Sequence, residues 1–229
     1  DKKNKKVVLF HAASTGEFEQ LKPILKLINR EKYFILVSFS SPTAFIPENK
    51  TILSDATCYH PFDLFWTAYL FFKKLNIKYY IITRNDIWPT HVFIANKLNI
   101  YTILINANFY KKTLYSSFIN NFLYKPVLIR FNLILTGSKR LKDNLLNILH
   151  HKNILISGDS RIDRVIERKN NQNKLLPSSY KKSTTLILGS IVPSDYKYIF
   201  SAFKEYLING METLKQNDQR IIIVPHEVN

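Results

Sequence analysis

Apolar residues along the chain fall into runs of two kinds. Nearly continuous stretches rich in β-branched and aromatic residues recur as VVLFHA, YFILVSF, YYIIT, YTILINA, NLILTG and NILISG, a content that predicts strands. Between them, residues 18–29, 63–75, 88–98, 115–129 and 139–149 space their apolar positions three and four apart, which predicts helices. Strands that are apolar on both faces and alternate with amphipathic helices imply a parallel sheet covered on both sides. The expected fold class is therefore α/β, doubly wound.

The pattern lapses over residues 167–183, ERKNNQNKLLPSSYKKS, which are polar, aperiodic and carry Pro177. This stretch reads as a linker between a first domain over 1–166 and a second unit over 184–229. The second unit offers TTLILGS, a helix over 195–207 and RIIIVPHE. One strand-helix-strand is too little to cover a sheet on both faces, so the second domain is expected to be incomplete at Asn229. No internal repeat or low-complexity tract interrupts the chain.

Composition narrows the function classes. A hydrophobic share of 46% over 229 residues suffices for a packed core. The formal charge of +16 implies an anionic partner: nucleic acid, a phosphorylated ligand or an anionic membrane surface. Its lysines lie in short scattered clusters. No nucleic-acid recognition motif is present, and the aromatics fall mostly inside expected strands and helices. Cys58 is the single cysteine, which excludes an internal disulfide and a cysteine zinc site. No segment reads as a signal peptide, and none approaches the roughly 20 apolar residues that span a bilayer.

The chemistry-bearing residues gather where strands end, as ligand sites in open α/β sheets do. Four of the five glycines, Gly16, Gly137, Gly158 and Gly189, follow expected strands, where glycine permits a sharp turn or a close approach to a ligand. Beside them stand Ser14-Thr15-Gly16-Glu17, Ser40-Ser41-Pro42-Thr43, the Arg84 to Pro89 loop, the Gly158 to Val165 segment, Gly189-Ser190 and Pro225-His226-Glu227. P-loop, dinucleotide, zinc-protease and nucleophile-elbow motifs are absent, the six histidines show no metal-ligand spacing, and no Asp-x-Asp is present to hold a divalent ion. What remains is a carboxylate near an arginine-bearing loop, equipment for deprotonating an acceptor while an anionic group departs. Two readings stay open for each charged candidate. Ser14 and Glu17 also fit a helix capping box, and Arg161 also fits a surface pair with Asp159 or Asp163. Trp88 reads as a packing anchor for its loop and His11 as a structural hydrogen-bonder.

In this order the motifs resemble the 3-deoxy-D-manno-octulosonic acid (Kdo) transferases of lipopolysaccharide synthesis. His11 to Glu17 resemble that family's H-A-x-S-x-G-E opening, and Ser41-Pro42-Thr43-Ala44 resembles its S-P-[ST]-G turn without the glycine. Asp86 to Thr90 resemble E-x-W-P-N with Asp for Glu and Thr for Asn, and Gly158 to Asp163 resemble G-[ND]-x-[KR]-[FI]-D. Gly189-Ser190 and Pro225-His226-Glu227 resemble the opening of its nucleotide-binding half. The resemblance implies a GT-B type fold of two Rossmann-like domains, acceptor-side first. It implies an inverting, metal-independent transfer of Kdo from CMP-Kdo to a lipid A precursor, at the cytoplasmic face of the inner membrane and without a cofactor. On that resemblance Glu17 is the general base, Asp86 and Arg161 stabilise the transition state, and Pro225 and His226 begin the CMP contact. Ser14, Gly16, Ser41, Thr43, Gly189 and Ser190 join them in binding substrate. The family's membrane anchor is not visible here, and its Gly-Glu-Leu and Asn-x-x-Glu nucleotide segments would fall beyond Asn229. A truncated or degenerate relative without activity, and a basic nucleic-acid-binding protein, are the competing expectations.

Overall fold

The computed structural model describes residues 4–48, 50–110, 125–147, 149, 153–170 and 183–226, apart from the side chains of 205–213 and 215. The chain divides into two compact units, Asp1–Asn171 and Gln172–Asn229. In the first, strands β1 (Lys6–Ala12), β2 (Tyr33–Phe39), β3 (Ala56–Tyr59), β4 (Ile77–Thr83), β5 (Tyr101–Ala107), β6 (Leu133–Thr136) and β7 (Ile154–Ile156) form one sheet. Helices α1 (Thr15–Leu27), α2 (Pro42–Glu48), α3 (Phe65–Leu75), α4 (Pro89–Lys97), α5 (Lys139–Leu146) and α6 (Ser160–Asn170) connect and flank them. Every pairing is parallel and the strand order is β3-β2-β1-β4-β5-β6-β7. The strands build outward from β1 to β3, then return to start again at β4 on the other side of β1.

Alternation along β1 shows why its run is apolar throughout. Val7 and Leu9 join Phe72, Tyr80, Ile82, Val92 and Leu104 in one core cluster. Val8, Phe10 and Ala12 join Phe18, Leu21 and Leu25 of α1 in the other. Successive side chains point to opposite faces, and both faces here are covered. The α6 helix then returns to α1: Arg164 Nε donates to Glu19 Oε2 at 2.6 Å, Arg168 donates to the same oxygen at 2.8 Å, and Lys26 pairs with Glu167.

Several expectations are corrected. Two elements went unforeseen: β3, a short half-buried edge strand, and α2, which carries two prolines. Pro42 begins α2 where a missing N–H costs nothing. The helix expected from residue 63 starts at Phe65, because Asp63 serves a different helix. Its carboxylate accepts from the amides of Thr90 at 3.2 Å and His91 at 3.0 Å, in the first turn of α4. The N-cap of α4, Trp88, offers no side-chain acceptor of its own. The polar stretch after residue 166 continues α6 to Asn170; residues 171–182 lie outside the described residues, as does the helix expected over 115–129 except for its last turn.

The second unit is one parallel pair, β8 (Thr184–Ile191) and β9 (Gln219–Pro225), joined by α7 (Pro193–Gln216). Asp195 accepts from the Val192 amide at 3.0 Å in the first turn of α7.

Candidate active site

The carboxyl ends of β1 and β4 flank the topological switch point, since the chain runs from β1 toward β3 and resumes at β4. Ligands of open α/β sheets bind in the crevice at that point. The two segments that leave those strand ends carry Glu17 and Asp86.

Ser14 is the N-cap of α1, its Oγ accepting from the Glu17 amide at 3.3 Å, while Glu17 Oε2 accepts from the Ala13 amide at 2.8 Å. Ser14 caps the helix as read, but Glu17 reaches one residue past the N-cap, to Ala13 and not to the Ser14 amide of a capping box; this fixes the carboxylate at the helix start with Oε1 free of hydrogen bonds among the described residues. Burial raises the Glu17 carboxyl above its ordinary value of 4.5, and the Asp86 charge adds to the rise; the Ala13 amide and Arg84 oppose it. The result is a half-buried carboxylate more basic than a solvated one.

Asp86 is held differently. Its Oδ2 accepts from His11 Nε2 at 2.8 Å, Trp88 Nε1 at 3.0 Å and Ser40 Oγ at 3.1 Å. Burial works against ionisation, but these donors outweigh it and hold the carboxyl below its ordinary value. The chain of bonds continues inward: His11 Nδ1 to Ser38 Oγ at 3.1 Å, Ser38 Oγ to His60 Nδ1 at 3.0 Å, and His60 Nε2 to Tyr80 OH at 3.2 Å. Burial drives the His60 pKa well below 6.5, and the neighbouring His11 and His91 push the same way. With His60 neutral and Asp86 an acceptor only, His11 Nε2 donates to Asp86, and Ser38 Oγ, which also donates to the Phe10 carbonyl at 3.4 Å, links the two imidazoles. The His60 ring centroid lies 4.0 Å from that of His11 and 4.4 Å from that of His91.

The sequence profile of the 3-deoxy-D-manno-octulosonic-acid transferase N-terminal domain matches residues 1–164. The chain belongs to the Kdo transferase family. Its fold is α/β of the GT-B type, and solved structures share it. A Listeria monocytogenes protein assigned as a UDP-N-acetylglucosamine 2-epimerase superposes with TM-score 0.64 at 12% identity, over 98% of this chain and 63% of its own. A Neisseria meningitidis UDP-GlcNAc 2-epimerase, solved bound to UDP-GlcNAc, gives 0.63 at 10%, over 97% and 72%. Acinetobacter baumannii MurG gives 0.52 at 10%, over 98% and 67%. The chain thus spans under two thirds of the Listeria protein's length. A search of curated proteins by sequence found no match.

The other residues expected to act in this Kdo transferase domain have local surroundings of their own. Arg161 grips Asp159, Nε sitting 3.0 and 2.9 Å from its two oxygens, and the guanidinium is half exposed. Ser41 Oγ and Thr43 Oγ1 bond each other at 2.6 Å, and it is Ser40, one residue earlier, that reaches Asp86. Gly16 has no left-handed φ, and a Cβ there would meet only Ser14 Oγ at 3.9 Å, so no turn requires a glycine. Gly158, at φ +83°, is the position that does. The turn it makes lets Ser160 Oγ accept from Asn106 Nδ2 at 2.7 Å. In the second unit Ser190 Oγ and His226 Nδ1 bond at 2.7 Å across the ends of β8 and β9. Gly189 and Pro225 are the adjoining strand residues, a Cβ on Gly189 would meet open space, and Glu227 lies outside the described residues.

Sequence reasoning assigned no role to His60, His91, Ser38, Tyr80 or Asn106. Ser38, Tyr80 and Asn106 stand on β2, β4 and β5, His60 follows β3 and His91 lies in α4, so no local spacing marks them. His11 and Trp88 sit as read, one a buried hydrogen-bonder and the other tied to its own loop.

Proposed function

We propose that the protein is an inverting, metal-independent glycosyltransferase moving Kdo from CMP-Kdo to a lipid A precursor. The observation that carries this reading is Glu17: a half-buried carboxylate at the β1/β4 switch point, with one oxygen fixed by the Ala13 amide and the other open. Glu17 takes the proton of the acceptor hydroxyl as that oxygen attacks the anomeric carbon. The bond to the CMP phosphate breaks on the opposite face, and CMP leaves with the electron pair. Asp86, kept ionised by His11, Trp88 and Ser40, supplies fixed negative charge to the oxocarbenium character of the sugar. Arg161 engages an anionic group by exchanging Asp159 for it, one carboxylate contact for another. Ser14 and Gly16 shape the floor of the site, and Ser41 and Thr43 offer hydroxyls at its rim. Gly189, Ser190, Pro225 and His226 receive the cytidine nucleotide on the second unit.

The decisive assay incubates the whole native protein with CMP-Kdo and a lipid A precursor and follows the acceptor by mass spectrometry. A gain of one or more Kdo residues, unaffected by a chelator, is expected. Turnover of UDP-GlcNAc with none of CMP-Kdo would overturn the donor assignment.

The membrane face of this reading has support in α3. Trp66 and Phe65 are 62% and 55% exposed, Phe62 just before the helix is 79% exposed, and Lys73 and Lys74 close its last turn. Aromatic side chains beside lysines suit the interface of an anionic bilayer. Burying such a ring is worth about 1.5–3 kcal/mol. The double change Phe65→Ser, Trp66→Ser should therefore weaken partition to vesicles containing phosphatidylglycerol by about tenfold or more. Unchanged co-sedimentation would remove α3 from the membrane contact.

A further inference from the structure

Arg84 follows β4 directly and sits at the same crevice as Glu17 and Asp86. Its amide donates to the Ile105 carbonyl at 2.9 Å, which pins its backbone to the end of β5. Its φ is +63°, in the left-handed region. The other described non-glycine residues there are Asn4, Asn76, Asn99, Asn106, Ser190 and Asp218, all short and polar. An L-residue enters this region at a cost of roughly 1–2 kcal/mol, and asparagine does so most readily. A long cation in such a conformation points to a use for the side chain, since the turn itself does not call for arginine.

The surroundings say what that use is. The guanidinium lies near enough to Glu17 and to Asp159 for its charge to act on both carboxylates. Among the described residues it nevertheless makes no side-chain hydrogen bond or ion pair. Asp159 is already engaged by Arg161, and Glu17 by the Ala13 amide. Arg84 therefore presents a fork of five N–H donors beside two carboxylates, Glu17 and Asp159, that repel any incoming anion.

We propose that Arg84 is the anion-binding residue of this site, taking a substrate oxyanion on its guanidinium and so setting the acceptor hydroxyl against Glu17. The inference rests on the reading that substrate occupies the switch point. A planar carboxylate or a phosphate fits the fork in two-point fashion. The sugar carboxylate of the donor and a phosphate of the acceptor are the two sources.

The test needs no turnover, so its failure would leave Kdo transfer standing, and failed transfer would leave the anion site standing. Trp88 fluorescence, read in a Trp66→Phe background, is titrated with free Kdo and separately with a glucosamine phosphate. Arg84→Asn suits the left-handed backbone and removes the charge; Arg84→Lys keeps the charge and removes the fork. The expected result is saturable binding of one probe by the arginine form, weakened about tenfold or more in Arg84→Asn and less in Arg84→Lys. Loss confined to Kdo assigns the donor carboxylate, and loss confined to the phosphosugar assigns the acceptor phosphate. Arg84→Asn binding both probes as the arginine form does, or the arginine form binding neither, would overturn the proposal.

Discussion

Glu17→Gln is expected to lower sugar transfer by about 10²-fold or more, the contribution of a positioned general base, with the fold and the affinity for substrate kept. Glutamine retains an oxygen for the Ala13 amide, and Ser14 continues to cap α1 through the backbone of residue 17. What disappears is the lone pair able to hold the acceptor's proton. The comparison is clean because the helix start depends on groups that the substitution leaves alone. Turnover is measured alongside circular dichroism, and near-normal transfer by a folded Glu17→Gln protein would sink the assignment of the base.

The second large effect is on stability in mild acid. His60 is 8% exposed and its folded pKa lies well below 6.5, first by burial and then by the charges of His11 and His91. Unfolded chain binds a proton near pH 6.5 that folded protein refuses, so stability falls as pH drops below that value. The slope for one such group is about 1.4 kcal/mol per pH unit, until the folded pKa is reached. Asp63 and Asp86 act in another window. Their folded pKa values lie below 3.8, so the stability they add is present above that value and is lost only as pH falls past it. Urea unfolding at a series of pH values between 7 and 4 should show the slope, and His60→Gln should flatten it even if the variant is less stable throughout. An unchanged slope in His60→Gln would move the acid sensitivity elsewhere.

The parallel core was legible in the sequence because its strands are buried on both faces. VVLFHA and YFILVSF are apolar at nearly every position, and a helical stripe lies between them. Elements that bury little carried no such signal. The β3 residues Ala56–Tyr59 are half-buried at a sheet edge, and α6 is so polar that it merged with the segment that follows. Glu17 and Asp86 were singled out through motif order, and the fold carries both on the segments that leave β1 and β4 at the switch point. Arg161 and the pair Ser41 and Thr43 were singled out in the same way, and their side chains are engaged locally. His60 and His91 carried no local pattern: they stand after β3 and in α4, and meet His11 of β1 only when these elements come together. Arg84 was visible as a charge; its left-handed backbone and unused donors are properties of the fold.

The role we propose for Glu17, a base acting from a half-buried site, is read in the pH dependence of kcat. With saturating CMP-Kdo and acceptor, and the fold monitored at each pH, one acid limb is expected with its midpoint above 4.5, in the direction that burial and Asp86 push the Glu17 carboxyl. The limb should vanish from the residual activity of Glu17→Gln. A rate that stays level until the protein unfolds, or the same limb in Glu17→Gln, would contradict it.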